Sequence, residues 1–492
     1  MRSPLLSLLA LTLATPVALR AQQPVTATLT IEDAIAISRR YNPDYLNAVN
    51  NRRNANAAVR SAYGALLPQL STDFSAQYQQ AGQQIVSGSA LGASSAITQS
   101  SYGIGLTYRL NLASFIAPKV QRANRDAVEA DIAGNAEVLR NNVAQQYLSV
   151  LQAEARATLQ DTLVAQAQQQ VELARVRTQV GAGTQLDVRR AEVALGQQQV
   201  AALKAHNDIE IEKLRLFQQL GVEQPSSVRL TSTFAVTPPA LSVEQVLDLA
   251  RHENPLLKAS TSRERVAGLN VSRSRSEYSP TLSVSTGIGG YTYQYTNSDY
   301  VVRSTALGMA QQQAACVRSE EVRAAVGLPN ELSNCSTRYT FTDAQAAQVR
   351  ADNRTFPFNF TNSPRSIVAT LSFPLFDGFS REQRLQEAQA GREDARYAVR
   401  AQELALTANV TGAYLTLVTA EKTVAIQEQN SAKARDELTL AQERYRVGAA
   451  TFLDVSDARA SYERAENDRI NAVYDYHKAY AALESAVGRP IR

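Results

Sequence analysis

The sequence predicts an exported α+β protein, either soluble or a membrane protein inserted by other means than apolar helices, in which 492 residues form one long unit written twice. Three observations predict it. An export signal opens the chain and no later window is apolar enough for a membrane helix. A series of motifs recurs in the same order in both halves. Within each half the hydrophobic period switches from 2 to about 3.6, so strands and long helices alternate.

Arg2 begins a short charged start, Leu5 to Leu19 is rich in Leu, Ala and Val, and Ala21 precedes the polar Gln22-Gln23. Residues 1–21 read as an export signal, because the apolar run is shorter than the ~20 residues a spanning helix needs. Composition then narrows the function. Lys and Arg number 50 against 46 Asp and Glu, and that small excess falls further when Arg2 and Arg20 leave with the signal. A nucleic-acid binder held by phosphate contacts carries a larger basic excess. His206, His252 and His477 lie far apart and there are two cysteines, so no metal cluster and no cofactor is expected.

The repeat is direct. Leu29-Thr-Ile-Glu-Asp-Ala-Ile-Ala-Ile-Ser-Arg-Arg-Tyr-Asn-Pro43 returns as Leu241-Ser-Val-Glu-Gln-Val-Leu-Asp-Leu-Ala-Arg-His-Glu-Asn-Pro255, at an offset of 212. Val180-Gly181-Ala182-Gly183-Thr184-Gln185-Leu186-Asp187-Val188 returns as Val447-Gly448-Ala449-Ala450-Thr451-Phe452-Leu453-Asp454-Val455, at an offset of 267. The difference places about 55 extra residues between the two strands of the second copy. The first repeat is expected over 22–228 and the second over 229–492.

Each copy opens with helices (31–66 and 243–278), broken where Asn42-Pro43 and Asn254-Pro255 disfavour a continuous turn. Strict alternation follows. Leu70, Thr72, Phe74, Ala76 and Tyr78 face one way, with Ser71, Asp73, Ser75 and Gln77 between them; Tyr102 to Leu112 repeats the pattern. Strands are therefore expected over 68–79, 101–112, 280–293 and 365–376. The segments between them, 79–100 and the extended extracellular loop 294–364, are polar. Helical hairpins are expected over 119–220 and 380–487. Leu406, Val410, Ala413, Leu417, Ala420 and Val424 form a coiled-coil seam, and Leu139, Val143, Gln146, Val150, Ala153 and Ala157 take the same steps.

Each strand has the length and one-sided apolarity of a tilted membrane strand. Four strands cannot close a membrane barrel, and lipid does not tolerate an open edge. If the strands enter a membrane, several chains share one barrel, and three would give twelve strands. Cys316 and Cys335 both fall in the longer loop. In an exported protein they form either a disulfide, worth roughly 3 kcal/mol by the chain-entropy account, or two free thiols in a mobile loop.

The paired Asn-Pro helices and the Leu67-Pro-Gln-Leu70 strand entry resemble the TolC family of outer-membrane efflux proteins. So do Leu371-Ser-Phe-Pro-Leu-Phe-Asp-Gly-Phe-Ser-Arg381 and the two Val-Gly-x-x-Thr-x-x-Asp-Val turns. The resemblance implies a homotrimer with a twelve-stranded barrel in outer-membrane lipid, continuous with a long periplasmic α-helical barrel. It implies an exit duct of a tripartite efflux or type I secretion system, fed by an inner-membrane pump through a periplasmic adaptor. It places the periplasmic aperture at the helical turns, with Asp454 and Asp457 at the mouth, Asp187 and Arg190 as their first-copy counterparts, and Tyr445 nearby. Gly181, Thr184, Gly448 and Thr451 become candidates for adaptor contact.

Plainer readings stand beside these. Asp187 and Asp454 lie three residues after Thr184 and Thr451, as in a capping box; Tyr445 can be a packed helix tyrosine; the glycines can serve tight turns alone. Asp457 lies one turn beyond Asp454, where capping does not explain it. An exported coiled-coil scaffold or adhesin accounts for the helices and leaves the membrane-length strands unexplained. No Gly-x-Ser-x-Gly elbow or HExxH occurs, and neither Gly181-Ala-Gly183 nor Gly287-Ile-Gly289-Gly290 follows a strand and opens a helix, so no enzyme is expected.

Overall fold

The computed structural model describes residues 28–86, 89–225, 227–232, 234–329 and 331–491; the expected export signal lies outside them. In the first copy β1 (Thr28–Leu29) leads into α1 (Ile31–Tyr41) and α2 (Pro43–Gly64). Strands β2 (Gln69–Gln79), β3 (Gly82–Val86), β4 (Ser89–Ser94) and β5 (Ile97–Leu110) follow, then α3 (Leu112–Gln179) and α4 (Gln185–Leu220). After β6 (Arg229–Leu230), α5 (Val243–Glu253) and α6 (Pro255–Ser276) begin the second copy. It continues with β7 (Thr281–Tyr295), α7 (Ser298–Ala325), α8 (Leu332–Arg338), α9 (Asp343–Asp352), β8 (Thr361–Asn362) and β9 (Ser366–Ser372). Helices α10 (Ser380–Arg446) and α11 (Phe452–Val487) close it. The order is predominantly helical, and among the described residues no helix is long and apolar enough to cross a membrane.

The two compact units do not coincide with the two repeats. One unit gathers the described residues up to Val59 with Val120–Asn270 and those from Glu387 onward; the other gathers Arg60–Lys119 and Val271–Gln386. Each unit thus takes matching parts of both copies, the hairpins in one and the strands in the other.

In the helical unit the seams bury as their periodicity requires. Leu139, Val143, Tyr147 and Val150 of α3 pack with Leu216, Phe217 and Leu220 of α4, together with Leu29 and Ala34. Leu406, Val410, Leu417 and Val424 of α10 pack with Tyr476, Tyr480, Leu483 and Val487 of α11, together with Val246 and Ala250. Gln146, the polar member of the first seam, donates to the Glu212 carboxylate at 2.6 Å. Tyr147 is fully buried; its hydroxyl donates to the Leu29 carbonyl (2.8 Å) and accepts from the Ser232 amide (3.2 Å). Tyr147→Phe removes both bonds and leaves the Leu29 carbonyl with the Thr231 amide alone (3.2 Å), so a loss of about 1 kcal/mol is expected, readable as a lowered unfolding midpoint in denaturant.

The Asn-Pro breaks have the same geometry in both copies. Asn42 ends α1 and its side-chain oxygen accepts from the Tyr45 amide at 3.0 Å, capping α2. Its amide nitrogen donates to the Gln219 carbonyl at the end of α4 (2.8 Å). Asn254 accepts from the Leu257 amide (3.0 Å) and donates to Ala486 at the end of α11 (2.9 Å). Proline supplies the helix start, where its missing N–H costs nothing, and asparagine satisfies groups that helix ends leave open.

In the strand unit the order is β2-β5-β7-β9, antiparallel throughout, with β8 beside β7 on the same side as β9. The register places Leu70, Leu106, Thr286 and Ile367 in one row and Thr72, Ile104 and Ile288 in the next. These residues share the apolar face. Ser71, Gly105, Gly287 and Ser366 share the opposite one, with Asp73, Gly103 and Gly289 beside them. Glycine is required at 289, where a Cβ would lie 2.7 Å from the Tyr102 carbonyl oxygen; one on Gly103 would lie 2.8 Å from the Asp73 carboxylate, which would have to turn aside.

The structure corrects the expected boundaries. The second strand is 97–110 rather than 101–112, α3 starts at Leu112 rather than 119, and 79–100 contains the β3–β4 hairpin. The segment 294–364 is not an extended loop, since α7, α8 and α9 occupy most of it. Residues 298–325 contain no proline and are rich in Ala, Gln and Arg, all good helix formers. The Asn297 side chain accepts from the Asp299 amide at 3.0 Å and starts α7. Polarity there reflects an exposed helix rather than an irregular chain. The sulfurs of Cys316 in α7 and Cys335 in α8 are bonded, with Cα atoms 5.7 Å apart.

Candidate functional site

The turns joining α3 to α4 and α10 to α11 are built alike. At the first, Gly181 has φ +76° and the Ala182 amide donates back to the Arg177 carbonyl (2.8 Å). At the second, Gly448 has φ +80° and Ala449 donates to Arg444 (2.8 Å). This six-to-one bond closes a helix with a left-handed residue, which glycine adopts without strain. The next helix starts at once. Thr184 accepts from the Asp187 amide (3.2 Å) while the Asp187 carboxylate accepts from the Thr184 amide (3.1 Å). Thr451 and Asp454 exchange the same pair of bonds at 3.3 and 2.7 Å. Both acids therefore work as caps. The Thr451 amide, and then its hydroxyl, hold the Asp454 carboxyl below the usual range, because they stabilise the charged form.

The turns meet through Tyr445. Its ring is 4% exposed and stands edge-on to Phe452, with centroids 6.4 Å apart. Arg177, from the first copy, lies over that ring with its guanidinium carbon 4.4 Å from the centroid, while one nitrogen donates to the Ala182 carbonyl (3.0 Å). A Cβ on Gly448 would sit 3.6 Å from the same guanidinium. Burial raises the Tyr445 hydroxyl above its ordinary pKa, the Asp187 charge adds to this, and Arg177 opposes it. Beneath lies a shared core of Val171, Ala174, Val188 and Ala191 with Leu438, Val455 and Ala458.

Of the expected site residues, Asp187 and Tyr445 are thus brought together across the two copies. Asp457 and Arg190 are both exposed, and within one chain neither has an ion pair among the described residues. Two residues escaped the sequence reading. Arg177 has Arg444 at its repeat position, so aligning the copies shows an arginine before both turns. Arg459, 6% exposed, is pushed down by burial, with the Glu463 charge opposing. Its repeat counterpart is Glu192, which pairs with Arg175 at 2.9 Å and Arg189 at 3.0 Å. The copies share backbone at the turns and differ in charge just behind them.

Known proteins carry the same architecture. The channel OprN superposes with a TM-score of 0.68 at 17% identity, covering 93% of this chain and 89% of its own. CusC superposes at 0.69 and 16% identity, covering 96% of each chain. The CmeC outer membrane channel of Campylobacter jejuni gives 0.68 at 14%, covering 93% and 85%. At these identities the likeness establishes the fold. No curated sequence matches the chain. The profile of the outer membrane efflux protein family matches residues 35–222 and 246–489, nearly all of both repeats. The chain belongs to the outer membrane efflux protein family and is an outer-membrane efflux channel.

Proposed function

We propose that three copies form the exit duct of a tripartite efflux or type I secretion system. Their strands close one twelve-stranded barrel in outer-membrane lipid, and their hairpins form a periplasmic tube fed by an inner-membrane pump through an adaptor. One observation carries this reading: among the described residues the sheet ends in two unpaired edges, and its apolar face is exposed along both edge strands. Leu70 and Phe74 of β2 are 73% and 57% exposed, and Ile367 of β9 is 77% exposed. Lipid accepts such a sheet only when every edge is paired. Strands β2 and β9 run in opposite directions, so β9 of one copy meets β2 of the next antiparallel, and the ring closes without a parallel joint. Sedimentation with outer membranes tests the reading; recovery of the chain as a soluble periplasmic monomer overturns it.

In the helical unit, the turns form the aperture. Asp454 and Asp457, repeated threefold, make an anionic ring, with Asp187 and Arg190 in the alternating positions. Gly181, Thr184, Gly448 and Thr451 present the surface that an adaptor grips. Arg177 over Tyr445 ties the two hairpins of a chain, so loosening it lets them part. In planar bilayers Arg177→Ala is expected to raise single-channel conductance several-fold, and Asp457→Ala to weaken cation preference. Unchanged current and selectivity in both variants would contradict this account of the mouth.

A further inference from the structure

The segment between α9 and β8 does not leave the sheet. Instead it crosses the apolar face. The Thr355 hydroxyl donates to the Tyr293 carbonyl (3.1 Å) and the Phe356 amide to the Gln294 side chain (3.0 Å). The Phe360 ring stands edge-on to Tyr102 of β5, with centroids 4.8 Å apart, and 6.5 Å from Phe74 of β2. Phe358 lies 6.3 Å from Phe74 and is itself 73% exposed. The strap thus passes over β7 and β5 towards β2. Gly290 makes the passage possible, since a Cβ there would lie 3.1 Å from Phe360 Cβ and 3.0 Å from the Thr361 carbonyl oxygen.

Under the strap lies a polar row on an otherwise apolar face. Ser100 and Thr292 are each 1% exposed, their hydroxyls 2.8 Å apart, and the Ser100 hydroxyl donates to the Pro357 carbonyl at 2.6 Å. The strap therefore hides two hydroxyls and satisfies one of its own carbonyls, and it turns phenylalanine outward in their place. Water would solvate that row without help, so the cover is useful where the face meets hydrocarbon. Aromatic girdles mark both margins of the apolar band on outer-membrane barrels. Past the opposite end of β9, Phe373, Phe376 and Phe379 are exposed.

We propose that the 355–362 strap is a lipid-contacting collar, in which Phe358 and Phe360 extend the apolar band over the Ser100–Thr292 row. The proposal rests on the lipid-facing reading of the sheet. The chain has no tryptophan, so a single introduced indole is an unambiguous reporter. Phe358→Trp, and separately Leu106→Trp within the apolar rows, are reconstituted as the full chain into phosphatidylcholine vesicles with ordinary or brominated acyl chains. The collar predicts that Phe358→Trp emits to the blue, loses most of its emission to brominated lipid as Leu106→Trp does, and resists iodide. If Leu106→Trp is quenched by brominated lipid while Phe358→Trp is quenched only by iodide, the strap faces water and the collar is overturned. Phe358→Trp untouched by either quencher puts the strap between copies and overturns it equally. Failure of brominated lipid to quench Leu106→Trp would instead overturn the lipid-facing reading itself.

Discussion

Gly221→Ala is expected to cost about 3 kcal/mol or more, since left-handed strain and an overpacked contact act together. Gly221 ends α4 at φ +75°, and a Cβ there would lie 2.5 Å from the Tyr41 carbonyl oxygen and 2.9 Å from Asn42 Cα. Both of those atoms are backbone, fixed where Asn42 caps α2 and binds the Gln219 carbonyl. The added methyl therefore pushes apart the junction of α1, α2 and α4. Gly488 occupies the matching place, at φ +92° and 2.5 Å from Pro255 Cδ, so its alanine variant should behave alike. Gly196 and Gly412 are the controls. Both lie within helices with nothing within 4 Å of an added Cβ, and alanine there should be neutral or gain about 0.5–1 kcal/mol. Thermal melts followed by circular dichroism separate the two pairs; equal midpoints for Gly221→Ala and Gly196→Ala would contradict the close-approach account.

Ile367→Arg is expected to abolish assembly. The side chain is 77% exposed on the apolar face of an edge strand, in the row of Leu70, Leu106 and Thr286. An arginine on the lipid face of a membrane barrel costs about 2–4 kcal/mol near the midplane, and a trimer carries the penalty three times over. Val368→Arg, one residue along and on the opposite face of the sheet, points where polar and glycine residues predominate and should assemble. Heat-stable oligomer on a mild detergent gel distinguishes them, and equal yields from both variants would argue that neither face meets lipid.

Much of this fold was legible because the repeat checks itself. The Asn-Pro breaks, the hairpin seams and both turns recur at constant offsets, and each structural role recurs with them. The capping boxes could be read from Thr184 to Asp187 and Thr451 to Asp454 because the pattern is local. Contacts between copies were not legible. Arg177 reaches Tyr445 although 268 positions separate them, and its repeat counterpart Arg444 has Thr178 where the second copy has the tyrosine. The repeat thus shows an arginine in both copies and does not show which ring it covers. The inserted segment gave a different difficulty. With no counterpart in the first copy, 298–352 could be judged only by its polarity, which an exposed helix shares with a loop. The strap was hidden for the opposite reason. Phe358 and Phe360 fall in the segment 294–364, whose overall polarity masks them, and only the passage over Gly290 brings them onto Tyr102 and Phe74.

The central claim is that four strands per chain make an incomplete membrane sheet that other copies complete. Native mass spectrometry of the chain, extracted from outer membranes in mild detergent, tests it most directly. The account predicts one dominant species at three times the chain mass, lost in Ile367→Arg and kept in Val368→Arg. A monomer in the wild-type extract, or an assembly indifferent to Ile367→Arg, would contradict it.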